Sequence, residues 1–244
     1  MMHHAVGEVT LGGPENCFSS GFWAAVDAFT PEVQPTYLKI CLAFYGSPMS
    51  PRLCLAQDPA ADALLSESPL ALLIGMVLDQ QIPLEWAFKG PRNLADRLGR
   101  DLDAADLAAR DPEALAAVFA TPPALHRFPG SMAGRVQQLC QVIVDSYGGD
   151  PAAIWTEATT GAELLKRVEA LPGFGKQKAK IFVALLGKQL AVRPKGWREA
   201  AGEFGEAGSY KSVADITDDK SLAKVRSYKK SMKAEAKAAK TAAG

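Results

Sequence analysis

The chain has 244 residues, 48% of them hydrophobic and 22% charged, a balance that suits a globular protein with a real core. Its formal net charge is zero, so bulk charge alone points to no polyanionic partner. The longest strongly apolar run, Leu70 to Leu78, is well short of the ~20 residues that cross a bilayer, and it reads as a buried helix.

No Lys or Arg precedes Lys39, so the positive start of a secretory signal is missing, and a cytoplasmic protein without membrane contact is expected. Cys17, Cys41, Cys54 and Cys140 are far apart with no C-x-x-C spacing, which indicates reduced thiols and no zinc site or iron–sulfur cluster. Residues 1–48 are punctuated by Gly, Pro and Ser. Phe22, Trp23, Val26 and Phe29 make at most an amphipathic turn or two there. Met49 opens a second start-like sequence, MSPRL, so residues 1–48 are read as an N-terminal extension, poorly ordered or an artefact of start-site choice. Residues 49–215 are then the folded domain, and 216–244 a basic Lys/Ala-rich segment.

Helix signals are dense from Ser66 onward. Ser68 as N-cap and Pro69 at the first position open a helix expected to run to Ile82, where Pro83 stops it. Asp111-Pro112-Glu113 opens a short helix that closes near Pro122. Ser131 caps a longer one whose Val136, Leu139, Cys140, Ile143, Val144 and Tyr147 share a face, with Gly148 and Gly149 closing it. Thr160 and Glu163 predict a capping box for the helix carrying Leu164, Leu165 and Val168. Then comes the turn Leu171-Pro172-Gly173-Phe174-Gly175, and a helix from Lys176 that ends at Gly187. A short helix begins near Trp197, and Lys220 to Ala243 reads as a solvated helix frayed at its end. Nothing alternates with period two over a useful length, so the class is all-α.

Charge is unevenly distributed along the chain. Ser50 to Glu113 holds 6 basic against 11 acidic residues, Leu171 to Glu199 holds 7 against 1, and Lys220 to Gly244 holds 8 against 1. Clustered Lys and Arg are rewarded at a polyphosphate by counterion release. Gly173 and Gly175 lay the backbone of the turn bare, and the unpaired N–H groups at the start of the Lys176 helix form an anion site at its positive dipole end. Lys176, Lys178, Lys180 and Lys188 surround it. Gly173, Phe174, Gly175, Lys176, Gln177 and Lys178 are therefore the expected contacts to a DNA backbone.

L-P-G-F-G-K between a capped helix and a Lys-rich helix resembles the helix-hairpin-helix of the HhH-GPD superfamily of DNA glycosylases. About 90 residues upstream, Leu78-Asp79-Gln80-Gln81 is similar to the family's L-x-Q-Q segment, which adds Gln80 and Gln81 to the DNA face. Phe128 to Val144 is similar to the helix lying between those landmarks, so the resemblance covers Pro59 to Trp197. It implies two small helical subdomains flanking a cleft, a monomer acting on double-stranded, damaged DNA, and removal of a flipped base by cutting its N-glycosidic bond. No cofactor is implied beyond a monovalent cation at the hairpin.

The chain departs from the family at its acid. The family's aspartate falls in Ala191-Val192-Arg193-Pro194-Lys195-Gly196-Trp197, which holds no carboxylate. Glu199 and Asp79 are the catalytic candidates, with Glu203 and Asp215 further away. Gln177 stands where bifunctional members carry a Schiff-base lysine, so strand cleavage through an imine is not expected. Trp86 and Trp197 are the candidates to stack on a flipped base. His126 is expected to contact backbone or solvent. Two rival readings remain: a lesion or structure binder without chemistry, in which Arg193 or Lys195 contacts phosphate, and a helical interaction protein whose hairpin only packs.

Overall fold

The computed structural model describes residues 53–242, without the side chains at 236, 237 and 239–242. The readings made for residues 1–48 lie outside the described residues. Eleven α-helices follow one another among them: α1 Pro59–Glu67, α2 Pro69–Leu78, α3 Leu84–Leu98, α4 Ala104–Ala109, α5 Pro112–Ala120, α6 Pro129–Tyr147, α7 Ala153–Thr156, α8 Gly161–Glu169, α9 Lys176–Gln189, α10 Trp197–Ala201 and α11 Asp219–Ala242. Two short 3-10 turns, Gly202–Gly205 and Val213–Asp215, precede α11. No strand occurs among the described residues; Thr160 and Lys195 form an isolated bridge. Among the described residues no single helix is long and apolar enough to cross a membrane.

Local chemistry sets several starts. Asp58 accepts from the N–H groups of Ala60 and Ala61 ahead of α1, Ser68 from Ala71 ahead of α2, and Asp111 from Ala114 ahead of α5. α2 is buried from Leu70 to Leu78 and forms the central rod of the core. It lies so close to α3 that a Cβ on Gly75 would sit 2.8 Å from the Phe88 ring, and one on Gly90 would sit 2.4 Å from Leu78. α1, α2 and α3 pack on one another, α4 and α5 pack on α6, and α2 touches α6. The second group is α8, α9 and α10 with both 3-10 turns, gathered around α9.

Four local details differ from expectation, one of them the end of α2. α6 begins at Pro129, so Ser131 lies inside it: the Phe128 N–H is taken by Nδ1 of His126, and proline at the first helical position leaves no N–H to satisfy there. The capping box at α8 is displaced: Thr160 Oγ1 accepts from the Glu163 N–H, but the Glu163 carboxylate turns to the N–H and hydroxyl of Thr159, and the Gly161 N–H donates to Lys195 O. α9 runs through Gly187 to Gln189. Gly187 is a packing glycine: a Cβ there would sit 2.3 Å from the Trp197 ring.

Candidate nucleic-acid interface

The C-terminal end of α2 is where the two helical groups meet. A helix leaves its last carbonyls without intrahelical partners, and here they are satisfied from afar. Met76 O accepts from Lys178 Nζ at 2.6 Å, Val77 O accepts from Gln80 Nε2 at 2.7 Å, and Asp79 O accepts from the same lysine at 3.3 Å. Asp79 has φ −69° and ψ 70°, and the Gln80 N–H reaches Leu78 O at 2.6 Å, the geometry of an inverse γ-turn. Gln81 follows at φ 58°, in the left-handed region. The helix therefore stops at Leu78 rather than Ile82, because the chain reverses sharply once its carbonyls are capped.

His126, only 1% exposed, braces this turn. Its Nδ1 accepts from the Phe128 N–H at 3.0 Å, so the proton sits on Nε2, which donates to Gln80 O at 2.8 Å. Arg135 of α6 donates to Gln80 Oε1 at 2.9 Å, and its Cδ lies 3.0 Å from where a Gly173 Cβ would be. Gly173 has φ 87° and also abuts Val77, so both its conformation and its surroundings demand glycine. Gly175 is different. Its φ is −85°, it precedes α9 as the N-cap residue, and a Cβ there would meet nothing within 4 Å. Bare backbone at Gly175 leaves open approach to the first N–H groups of α9, which no side chain among the described residues caps.

The hairpin residues divide by direction. Lys176, Gln177 and Lys180 are exposed, and no carboxylate pairs with either lysine among the described residues. Phe174 is instead turned into the core, edge-on to Phe182 with ring centroids 5.6 Å apart, so only its backbone is left for DNA. Lys178 is turned inward too. Burial pushes its ammonium down to about 8, Asp79 opposing the shift and Arg135 reinforcing it. Lys178 is thus a helix cap rather than a phosphate contact.

Replacing Lys178 by Met should cost roughly 1–3 kcal/mol of stability, because two carbonyls lose a charged donor. Its pKa is lower folded than unfolded, so folding releases a proton between about 8 and the ordinary 10.5. Stability of the wild type relative to the variant should therefore rise as pH is raised through that window. Urea melts at about pH 7 and about pH 9.5 measure both effects, and a difference independent of pH removes the buried ammonium from the account.

Two aromatic side chains near this turn stand out from the surface: Trp86 in the first turn of α3, five residues after Gln81 and 41% exposed, and Phe128, 44% exposed, next to His126. The guanidinium of Arg127 lies 5.4 Å from the Phe128 ring centre. Trp197 is not with them. It is buried against Gly187, with the guanidinium of Arg198 4.4 Å over its ring. Gly187 lies twelve residues beyond Gly175 on α9, about 18 Å along the helix. Trp197 does line a cavity of about 290 Å³ with Lys188, Arg193 and Tyr210, at that far end.

The acids divide the same way. Glu199 is exposed on α10, one turn from Gly196, at the Trp197 end of α9. It cannot slide toward the hairpin, because the acid-free segment before it is locked. The Gly161 N–H reaches Lys195 O at 2.8 Å, Arg193 Nε reaches Gly187 O at 2.8 Å, and a Cβ on Gly161 would lie 2.5 Å from Gly196 O. Glu203 sits beside Lys211. Asp215 is consumed by Lys188 and three further donors. Asp79 alone of these acids lies between the glutamines and the hairpin. It is half-buried, and its carboxylate acts on the nearby Lys178 ammonium through charge while making no hydrogen bond among the described residues.

The expectation that His126 contacts backbone holds, through Gln80 O and the Phe128 N–H, whereas the tie from Arg135 to Gln80 and the exposure of Phe128 at this edge were not expected. Only the residue types hinted at them, since each acts through a neighbour distant in the chain. No curated protein matches the chain in sequence. The family model described as HhH-GPD superfamily base excision DNA repair protein matches residues 74–243, from the second half of α2 through the Gln80–Gln81 turn and the hairpin to the end of α11. An all-α fold built around that hairpin and a family match over more than half of the chain place this protein in the HhH-GPD superfamily of base excision DNA repair proteins.

Proposed function

We propose that the protein is a monofunctional DNA glycosylase that docks on damaged double-stranded DNA as a monomer and hydrolyses the N-glycosidic bond of an altered or mismatched base. The observation that carries this reading is the uncapped N-terminus of α9, open at Gly175 and flanked by the exposed Lys176 and Lys180, set against the Gln80–Gln81 turn. Phosphate held there positions the duplex without reading its sequence. Exposed Gln81, Phe128 and Trp86 then face the base stack, where an extruded base leaves a gap to fill.

Asp79 supplies the acid in this reading. In the hydrolysis, water oxygen bonds to C1′ of the deoxyribose, the bond from C1′ to the base nitrogen breaks, and the departing base gains a proton. A carboxylate beside the sugar takes the water's proton or stabilises positive charge as it develops on the ring. An imine route finds no support, since Gln177 occupies the lysine's place and the Lys178 amine is held on Met76 O and Asp79 O.

One observation favours a second reading, in which the protein recognises lesions without cutting: the locked segment Ala191–Trp197, within which the family's acid falls, holds no carboxylate and carries Arg193 and Lys195 instead. Incubation with a panel of lesion duplexes, followed by alkali to reveal abasic sites, separates the two. Product on one lesion supports the glycosylase; binding without product on any lesion supports the second reading. The docking itself is tested by Lys176→Glu with Lys180→Glu. Affinity for duplex should fall at least tenfold at about 0.1 M salt, and the slope of log K against log salt should shrink by about 1.8. Unchanged binding in that variant would sink the hairpin assignment.

A further inference from the structure

Among the described residues α11 is anchored at its root. Leu222 and Val225 are buried, Ser221 is held by Asp218, and Arg226 pairs with Glu85 in the first turn of α3. Glu85 is four residues from Gln81 and adjacent to Trp86. From Arg226 onward no side chain whose exposure is described is buried, and Tyr228 alone is partly covered. The helix therefore leaves the fold at the edge of the candidate interface.

Its charges fall on one side. With about 100° per residue, Arg226, Lys229, Lys230 and Lys233 lie within roughly a quarter to a third of the circumference, and the sequence repeats the same register at Lys237 and Lys240. One flank of the stripe carries Ser227, Ser231, Ala234 and Ala238, and the one acid beyond Asp219, Glu235, lies on the opposite face. Lys224 stands apart, tied to Tyr210 with its ammonium 4.2 Å over the ring. Insertion into a lipid surface needs a broad apolar face next to the basic one, and beyond Val225 only Tyr228 and Met232 are large and apolar.

We infer that α11 is a second DNA-contacting element, a basic arm whose stripe from Arg226 to Lys240 lies along the phosphates flanking the lesion on the Trp86 side. This inference rests on the DNA-docking reading above. The helix axis rises about 21 Å from residue 226 to residue 240, the axial length of about six base pairs. The hairpin fixes the duplex at one point, and the arm adds a sequence-independent grip at a distance, which raises affinity for long duplex more than for short.

The test compares the full chain, a full-length variant with Lys229, Lys230, Lys233, Lys237 and Lys240 changed to Gln, and a chain ending at Tyr228, which keeps the buried root. Fluorescence anisotropy is read on duplexes of increasing length across a salt series, with thermal melts as a folding control. The arm predicts a salt slope smaller by about 2 to 4 in both altered chains, and full affinity reached on a duplex about six base pairs shorter. Identical slopes and identical length dependence in all three chains overturn it. So does binding of anionic phosphatidylserine vesicles that the Gln variant loses while its duplex binding is unchanged. Failure of the docking reading looks different: there, Lys176→Glu with Lys180→Glu leaves binding intact on duplexes too short to reach the arm.

Discussion

Replacing Asp79 by Asn should lower base excision between about a hundredfold and ten-thousandfold, the range a positioned carboxylate contributes to proton transfer, and leave duplex affinity within about threefold of wild type. Affinity survives because Asp79 holds the fold through its backbone. Its carbonyl accepts from Lys178, its φ and ψ make the turn, and its carboxylate bonds to nothing described. Asn keeps size and shape and removes only the charge. Single-turnover rates with enzyme in excess isolate the chemical step, and Glu199→Gln is the necessary companion. Glu199 sits at the end of α9 remote from the hairpin, so its variant should turn over like the wild type. If Glu199→Gln is silent and Asp79→Asn is not, the acid has moved from the segment after the hairpin to the turn before it. The reverse result transfers the role to Glu199 and removes Asp79.

The fold was legible wherever the information is local. Ser68, Asp111 and Thr160 cap the helices that their side chains were expected to cap, Gly148 closes α6 at φ 60°, and Gly173 takes the positive φ that the hairpin requires. What was misread depends on partners distant in the chain. The end of α2 is set by Lys178, about a hundred residues away in sequence, and by the Gln80 side chain, so the downstream Pro83 never gets to stop the helix. Gly187 looked like a stop, yet it serves a tryptophan that follows ten residues later. Alternation of Lys and apolar residues could not say that Lys178 points inward while Lys176 and Lys180 point outward, because a flexible four-carbon stem reaches a buried carbonyl from the rim of a helix. The same limit applies to the acids: residue type proposes Glu199 and Asp79 equally, and only the position of each relative to α9 separates them.

Asp215→Ala should lower stability by about 3–5 kcal/mol, with a drop in Tm on the order of 10 °C. The Asp215 side chain is 4% exposed and that of Lys188 14%, with Oδ1 and Nζ 2.5 Å apart. Ser209 Oγ donates to Oδ1, and the N–H groups of Lys211 and Ser212 donate to Oδ2 at 2.9 and 3.1 Å. The carboxylate therefore fastens the 209–215 turn to α9, and its loss leaves an ammonium buried without a counter-charge. Most of the cost comes from that stranded charge, so adding Lys188→Met to Asp215→Ala should recover a large part of the lost stability. Thermal melts of the two variants test this, and a single variant within about 1 kcal/mol of wild type would refute it. The experiment also bears on chemistry. An Asp215→Asn chain that melts like the wild type yet excises no base would make this carboxylate catalytic, whereas loss of stability with unchanged turnover per folded molecule would leave Asp79 as the acid at the hairpin.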